Sequence, residues 1–174
     1  MMILKAAKFS RLAHAGQKRK YNRRDYVTHP ARVAGMVALH PDATSSWVAA
    51  AYLHDVLEDT DIDANKLARS FPSTVVSIVS ELTNMEQGNR AERMRQSNAR
   101  LARASRAAKI IKLLDREDNL LDIPPEEGFL QVYAEETKAL VEAIGHVDKE
   151  ISTRLLSIVE NIESTWRREN TWSI

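Results

Sequence analysis

The sequence predicts an all-α domain of about seven to ten helices, taking helices near their usual mean length. Apolar residues recur at helical spacing in segment after segment, and no segment shows the period-two alternation of a strand. Pro124, Pro125 and Gly145 fall at joints between such segments, and a helix cannot run on through the two prolines. With 174 residues the chain can bury one sizeable core, so it is read as a single domain over 1–174, with its motifs in 5–122 and C-terminal helices over 126–167.

The elements follow in order. Ile3, Leu4, Ala6, Ala7, Phe9, Leu12 and Ala13 mark a first helix, and the polar stretch Gly16 to Asp25 reads as a loop. Val27 to His40 is a second helix, with Thr28 or His29 at its cap and Pro30 in its first turn, where a missing N–H costs nothing. Pro41 and Asp42 lead into a third, apolar helix that runs through Trp47 to an acidic end. Asp61 and Asp63 read as caps for a short helix to Ser70, and Pro72 opens another through Leu82. Asn84 to Asn98 is polar and arginine-rich, either a loop or a mobile helix. Ser105 to Leu121, Phe129 to Ile144 and Val147 to Trp166 complete the set.

Composition narrows the chemistry. Without cysteine there is no disulfide framework, thiolate nucleophile or Cys-type zinc site, which fits a reducing compartment. No apolar run approaches a membrane span, and Met1 to Ser10 lacks the apolar core of a signal peptide, so the protein is read as cytoplasmic. The formal net charge of +1 hides an uneven distribution: residues 1–32 hold nine Lys or Arg against Asp25 alone, and residues 90–116 hold nine against Glu92 and Asp115. If the two segments meet at one cleft they would attract a nucleotide polyphosphate, with RNA as the rival ligand. On charge alone, solvated helix faces are the plainer reading.

Residues 49–60, AAAYLHDVLEDT, read as an apolar helix whose last turn carries His54, Asp55, Glu58 and Asp59 on one arc. Carboxylates at a helix C-terminus face the negative end of its dipole, and a bound cation relieves that cost. Asp115 is the second oddity, an acid directly after Ile110, Ile111, Leu113 and Leu114, with Asn119 one turn later; its bland reading is an ion pair with Lys112 or Arg116. His29 at a helix start is the third, and alone it would be an ordinary capping residue. Together, in the order H…HD…D, two imidazoles and two carboxylates can hold one octahedral divalent ion and leave positions for water and substrate.

At this point the chain resembles the HD-domain metal-dependent phosphohydrolases, specifically the hydrolase module of the RelA/SpoT group and its small alarmone hydrolases. AHAGQKRK (13–20), YVTHPARVAGMV (26–37), AAYLHDVLEDT (50–60), ELTN (81–84) and AAKIIKLLDREDNLLD (107–122) carry the resemblance, in the family's order. It implies manganese-dependent hydrolysis of (p)ppGpp, releasing pyrophosphate from the 3′ position to give GDP or GTP. It also implies His29, His54, Asp55 and Asp115 as metal ligands and Glu58 and Asp59 as the catalytic acids, one of them orienting or deprotonating water. Arg19, Lys20, Tyr26, Lys112 and Asn119 correspond to substrate-binding positions, Lys112 on phosphate and Asn119 on the sugar.

Departures from the pattern are Asp25 before Tyr26, where proline is common, Leu114 for a usual alanine, and Asp118 where His or Tyr is common. A charge at 118 is expected to alter base or sugar recognition without touching the metal. With the chain ending at 174, hydrolysis without the synthetase of longer relatives is expected. The alternatives are the same chemistry on an adenine alarmone, a deoxynucleotide or the phosphate of NADPH, a nucleotide-binding protein without catalysis, and an RNA-binding module. The oligomeric state is left open, a homodimer among the options.

Overall fold

The computed structural model describes residues 1–125 and 127–170, the last two as backbone only; position 126, where the C-terminal part is expected to begin, and 171–174 lie outside them. Among the described residues ten α-helical segments account for the fold: α1 (Met2–Ala13), α2 (Thr28–Ala38), α3 (Ser45–Leu53), α4 (Val56–Asp59), α5 (Ala64–Ala68), α6 (Ser73–Leu82), α7 (Arg90–Leu101), α8 (Arg106–Asp122), α9 (Phe129–Ile144) and α10 (Lys149–Asn170). The one strand-like pairing described is an isolated bridge between Lys18 and Asp25 inside the α1–α2 loop. The chain is all-α, as its periodicity predicts.

Two helices form the centre. In α3, Val48, Ala49, Ala50, Ala51 and Leu53 are all buried, and a helix apolar on every side has to be enclosed. Its alanines let neighbours approach closely, and α1, α2 and α6 pack around it. The other centre, α8, buries eleven of its seventeen residues and contacts α2, α3, α6, α9 and α10. Among the eleven is the run Asp115, Arg116, Glu117, Asp118. Successive residues step about 100° around a helix, so Asp115 and Asp118 share one face while Arg116 and Glu117 point to two others, and all need partners. Asp115 meets His29 and Lys112, and Arg116 lies over the Tyr133 ring at 3.9 Å. Glu117 takes both arms of Arg154 at 2.7 and 2.8 Å, and Asp118 takes His29 and Arg32.

Several boundaries differ from the sequence expectation for local reasons. The helix expected over 49–60 breaks at His54–Asp55, and α4 starts again at Val56. In α2 the N-cap is Val27, without a side-chain cap; Thr28 is already helical, and its hydroxyl donates to the Asp25 carbonyl at 2.8 Å. Asp63 caps α5 by accepting the Lys66 N–H at 2.7 Å, and Asp61 plays no such part. The stretch 84–98, read as a loop or mobile helix, holds the start of an ordinary helix, α7, that runs on to Leu101. Its polarity hides the period, but its start is written in a capping box: Asn89 Oδ1 accepts the Glu92 N–H, and Glu92 Oε2 accepts the Asn89 N–H, both at 3.0 Å. Gly88 enters this cap at a φ of 110°, where a Cβ would lie 2.4 Å from Glu92 Oε2. Asn89→Ala is expected to cost about 1 kcal/mol and to lower Tm by about 2–4 °C in a thermal melt.

Candidate metal centre and adjoining cavity

The break after α3 builds the centre. At a helix end the last carbonyls have no intrahelical donor, and His54 Nδ1–H takes one of them, Ala51 O, at 2.7 Å. That bond fixes the ring with its Nε2 lone pair facing inward. His29, in the first turn of α2, is held the same way from the other side: Nδ1–H donates to Asp118 Oδ2 at 2.6 Å. The two Nε2 atoms are 3.2 Å apart. Asp55 Oδ2 lies 3.1 Å from His54 Nε2 and 3.5 Å from His29 Nε2, while Asp115 Oδ1 lies 3.1 Å from His29 Nε2 and 3.7 Å from His54 Nε2.

This donor set fits a divalent ion. Ligand atoms about 2.1 Å from an ion and at right angles to one another lie about 3 Å apart, close to the spacing observed. His29, His54 and Asp55 present three atoms within 4.8 Å of one another. In neutral rings, lone pairs and carboxylate oxygens converge on one point, an arrangement that is repulsive unless positive charge sits there. Burial works to lower the His29 and His54 pKa values, and the neighbouring aspartates outweigh it, raising both. Burial likewise works against ionised Asp55 and Asp115, yet the imidazoles, and Lys112 beside Asp115, hold both carboxyls below their usual range.

Tyr26 joins the ligands to the acidic turn. Its Oη lies 2.8 Å from Asp55 Oδ2 and 2.7 Å from Asp59 Oδ2, and its ring stacks on the buried His14 at 4.8 Å. Burial and the two carboxylates push the phenol far above its ordinary value, so it keeps its proton. Asp59 also accepts Gln17 Nε2–H on its backbone carbonyl at 2.6 Å. Glu58 is elsewhere: both its oxygens accept from Asn84, at 3.0–3.1 Å, so the single polar arc expected for residues 54–59 is split between two faces. Tyr26→Phe keeps the stacked ring and removes the oxygen. It is expected to lower turnover roughly 10–100-fold, the usual effect of losing an outer partner of a metal ligand, with little change in Tm.

Beside the centre opens a cavity of about 470 Å³, walled by Lys18, Arg19, Lys20 and Arg90 together with Tyr21, Tyr26, Phe129 and Tyr133. Of the two basic segments, the first supplies Lys18, Arg19 and Lys20 to this wall and the second Arg90 alone. Arg19 is anchored rather than free, its Nε on Asp122 Oδ2 and its Nη2 on Asn119 Oδ1, both at 2.9 Å. Asn119 in turn donates to Asp115 Oδ1 at 2.6 Å, so it links the cavity wall to the centre. Lys20 lies 5.8 Å over the Phe129 ring. Lys112 does not line this cavity; its ammonium sits on Asp115 Oδ2 at 2.8 Å.

Arg90, Phe129 and Tyr133 escaped sequence reasoning, because α7 and α9 carry no motif and reach the site only through packing. Arg90 lies 4.6 Å over Phe129 and grips Glu136 with two bonds of 2.6 and 2.8 Å. Asp118 needs a correction of another kind. It is buried against His29 and so touches the centre directly, contrary to the expectation that it would act on the base or sugar alone. The signal was present: His29 and Arg32 are three apart, as are Asp115 and Asp118, and such pairs share a helix face.

Fold and centre together define a class, helical domains whose paired His and Asp residues from separate helices enclose a metal position. A family model described as HD domain matches residues 6–127. Guanosine-3′,5′-bis(diphosphate) 3′-pyrophosphohydrolase of Danio rerio is 31% identical over 124 residues, 70% of this chain and 69% of that protein. The Mus musculus protein of the same name is 30% identical over 166 residues, 91% of this chain and 93% of its own. A solved structure described as a metazoan orthologue of SpoT that hydrolyses ppGpp superposes with a TM-score of 0.83 at 26% identity, over 92% of this chain and 94% of the other. The chain belongs to the HD-domain family, in its branch of guanosine-3′,5′-bis(diphosphate) 3′-pyrophosphohydrolases.

Proposed function

We propose that the protein is a metal-dependent 3′-pyrophosphohydrolase of ppGpp, releasing pyrophosphate and leaving GDP, or GTP from the pentaphosphate. The observation that carries this reading is the meeting of His29, His54, Asp55 and Asp115 beside a cavity with a basic and aromatic wall. Those four residues would hold one divalent ion, with Mn²⁺ the proposed metal. When bound, such an ion acidifies water and withdraws charge from a phosphoryl group.

The other residues then take roles by position. Arg19, Lys20 and Arg90 balance phosphate charge, and Tyr133 and Phe129 offer ring faces to a base. Asn119, between Arg19 and Asp115, is within the wall where a sugar hydroxyl would meet it. Asp59, beside Asp55 through Tyr26, is placed to accept or return a proton at the reacting phosphate; Glu58, tied to Asn84, shapes a second hollow of about 350 Å³ that shares Arg90 with the first. Lys112 supports Asp115 rather than reaching phosphate itself.

RNA binding has less support. Of the second basic segment only Arg90 lines the cavity, and Arg100 and Arg106 are each engaged by a carboxylate of the protein. No helix among the described residues is long and apolar enough to cross a membrane, and we propose the cytoplasm as the compartment. The deciding experiment is pyrophosphate release from ppGpp by metal-stripped protein, before and after Mn²⁺, with GDP and ATP as comparison substrates. Release only with metal and only from the 3′-diphosphate is the expected result. Release indifferent to chelation, or none from ppGpp with metal bound, overturns the reading.

A further inference from the structure

His54 and His29 are oriented by different kinds of acceptor. For His54 it is a backbone carbonyl, Ala51 O, which no side-chain change removes. For His29 it is the carboxylate of Asp118, and that carboxylate is itself clamped: Arg32 Nε reaches Asp118 Oδ1 at 2.5 Å and Arg32 Nη2 reaches Asp118 Oδ2 at 2.9 Å. The pairing is reciprocal between two helices. On α2, His29 and Arg32 are one turn apart; on α8, Asp115 and Asp118 are one turn apart. His29 meets Asp115 at Nε2 and Asp118 at Nδ1, so its ring is pinned at both ends by one face of α8.

We propose that Asp118, held by Arg32, is a positioning residue for the metal centre: it fixes the ring angle and tautomer of His29 so that Nε2 presents a lone pair beside those of His54, Asp55 and Asp115. The inference rests on the metal reading above. His29 is 1% exposed and Asp118 6%, so no solvent molecule substitutes readily as acceptor. A carboxylate can only accept, so it fixes the proton on Nδ1; an amide at 118 can turn its NH2 toward Nδ1 and let the ring rotate or carry its proton on Nε2, and either change removes one donor from the set. Neither Asp118 nor Arg32 lines the cavity, so their effect falls on metal affinity rather than on nucleotide contact.

The test is Mn²⁺ titration of the metal-free full chain by calorimetry, for the unaltered protein, Asp118→Asn, Arg32→Met and the double variant, each with a thermal melt. The expected result is a dissociation constant raised 10–100-fold by Asp118→Asn and less, in the same direction, by Arg32→Met. The double variant adds no further loss beyond Asp118→Asn, because Arg32 acts through Asp118. Activity lost in either variant returns at high Mn²⁺, with KM for ppGpp within about threefold of the original, since each tenfold in affinity is only ~1.4 kcal/mol and no substrate contact is removed. A lowered Tm with an unchanged Mn²⁺ constant overturns the proposal and leaves Asp118 a structural residue. Should Asp118→Asn fail to fold, Arg32→Met, whose side chain is 36% exposed, decides alone: an unchanged constant overturns the proposal. No Mn²⁺ binding by the unaltered protein overturns the metal reading itself, and this inference with it.

Discussion

Asp115→Ala is expected to remove metal binding and to reduce pyrophosphate release by more than the roughly 10–100-fold that loss of an outer partner costs. The carboxylate is shared more widely than any other in the centre. Its Oδ1 lies 3.1 Å from His29 Nε2 and accepts Asn119 Nδ2–H at 2.6 Å, while Oδ2 takes the Lys112 ammonium at 2.8 Å. Deletion therefore does three things at once. It takes away one of four donors, releases Asn119 and with it Arg19 in the cavity wall, and leaves the half-buried Lys112 charge without an acceptor. The last effect costs stability, less than the ~1–3 kcal/mol of a fully buried polar group stripped of its partner. Asp115→Asn separates the effects, since an amide keeps the shape and the acceptor for Lys112 but is a poor metal ligand. Its expected behaviour is a smaller fall in Tm than that of Asp115→Ala, with no activity. Hydrolysis by Asp115→Asn within tenfold of the unaltered enzyme, with one ion retained after dialysis, would remove Asp115 from the ligand set.

Metal is expected to stabilise the protein more at pH 8 than at pH 5.5, and the sign follows from the four ligands. In the metal-free protein Asp55 and Asp115 have folded pKa values below their unfolded ones, so their contribution is present above about pH 3.9 and lost as the pH falls through the folded values. His29 and His54 have folded values above the unfolded value of about 6.5, so their contribution is full below that pH and is lost as the pH rises through the folded values. From these groups the metal-free protein is most stable between about pH 4 and 6.5 and weakens above. An ion needs both imidazoles neutral and competes with the protons they hold, so its affinity rises across the same interval. At a metal concentration 100 times the dissociation constant, the gain is about 2.7 kcal/mol. For a protein of this length that corresponds to about 5–10 °C in Tm. Differential scanning calorimetry at both pH values, with and without Mn²⁺, measures it. An equal or larger metal-induced gain at pH 5.5 would contradict the arrangement.

The same four residues hold the centre together. Two buried imidazoles and two carboxylates form alternating contacts of 3.1–3.7 Å. Each imidazole is also tied from behind, His54 to Ala51 and His29 to Asp118. The ligands are thus held in place before the ion arrives, which reduces the ordering that binding must impose.

Much of the molecule was legible in its sequence. Helical class follows from periodicity alone, because a helix declares its buried face every three to four residues and no distant strand is needed to complete it. The α9 bounds, Phe129 and Ile144, match the reading from apolar spacing, and the end of α8 at Asp122 follows from the prolines beyond it. His54, Asp55 and Asp115 stood out as polar groups on apolar helices that require compensation, whereas His29, at a helix start, gained meaning only from the order H…HD…D. What the sequence left undetermined was the break after Leu53, which depends on how the His54 ring is seated rather than on propensity. It also left Glu58 and Asp59 as one acidic pair, whereas Asn84 and Tyr26 draw them to different faces.

By itself, then, the chain determined its helices and, through the order H…HD…D, the residues of its chemistry. Tertiary structure alone decided which charges are spent on one another. Arg19 binds Asp122 across 103 positions, and Arg32 binds Asp118 across 86, so neither pairing has a local period to announce it. Local signals report on residues three or four apart, while a buried charge takes whichever opposite charge the packed helices bring within reach. For that reason Asp118, read in sequence as a recognition residue, lies behind His29, and Arg90 and Phe129, silent in sequence, stand in the wall of the cavity.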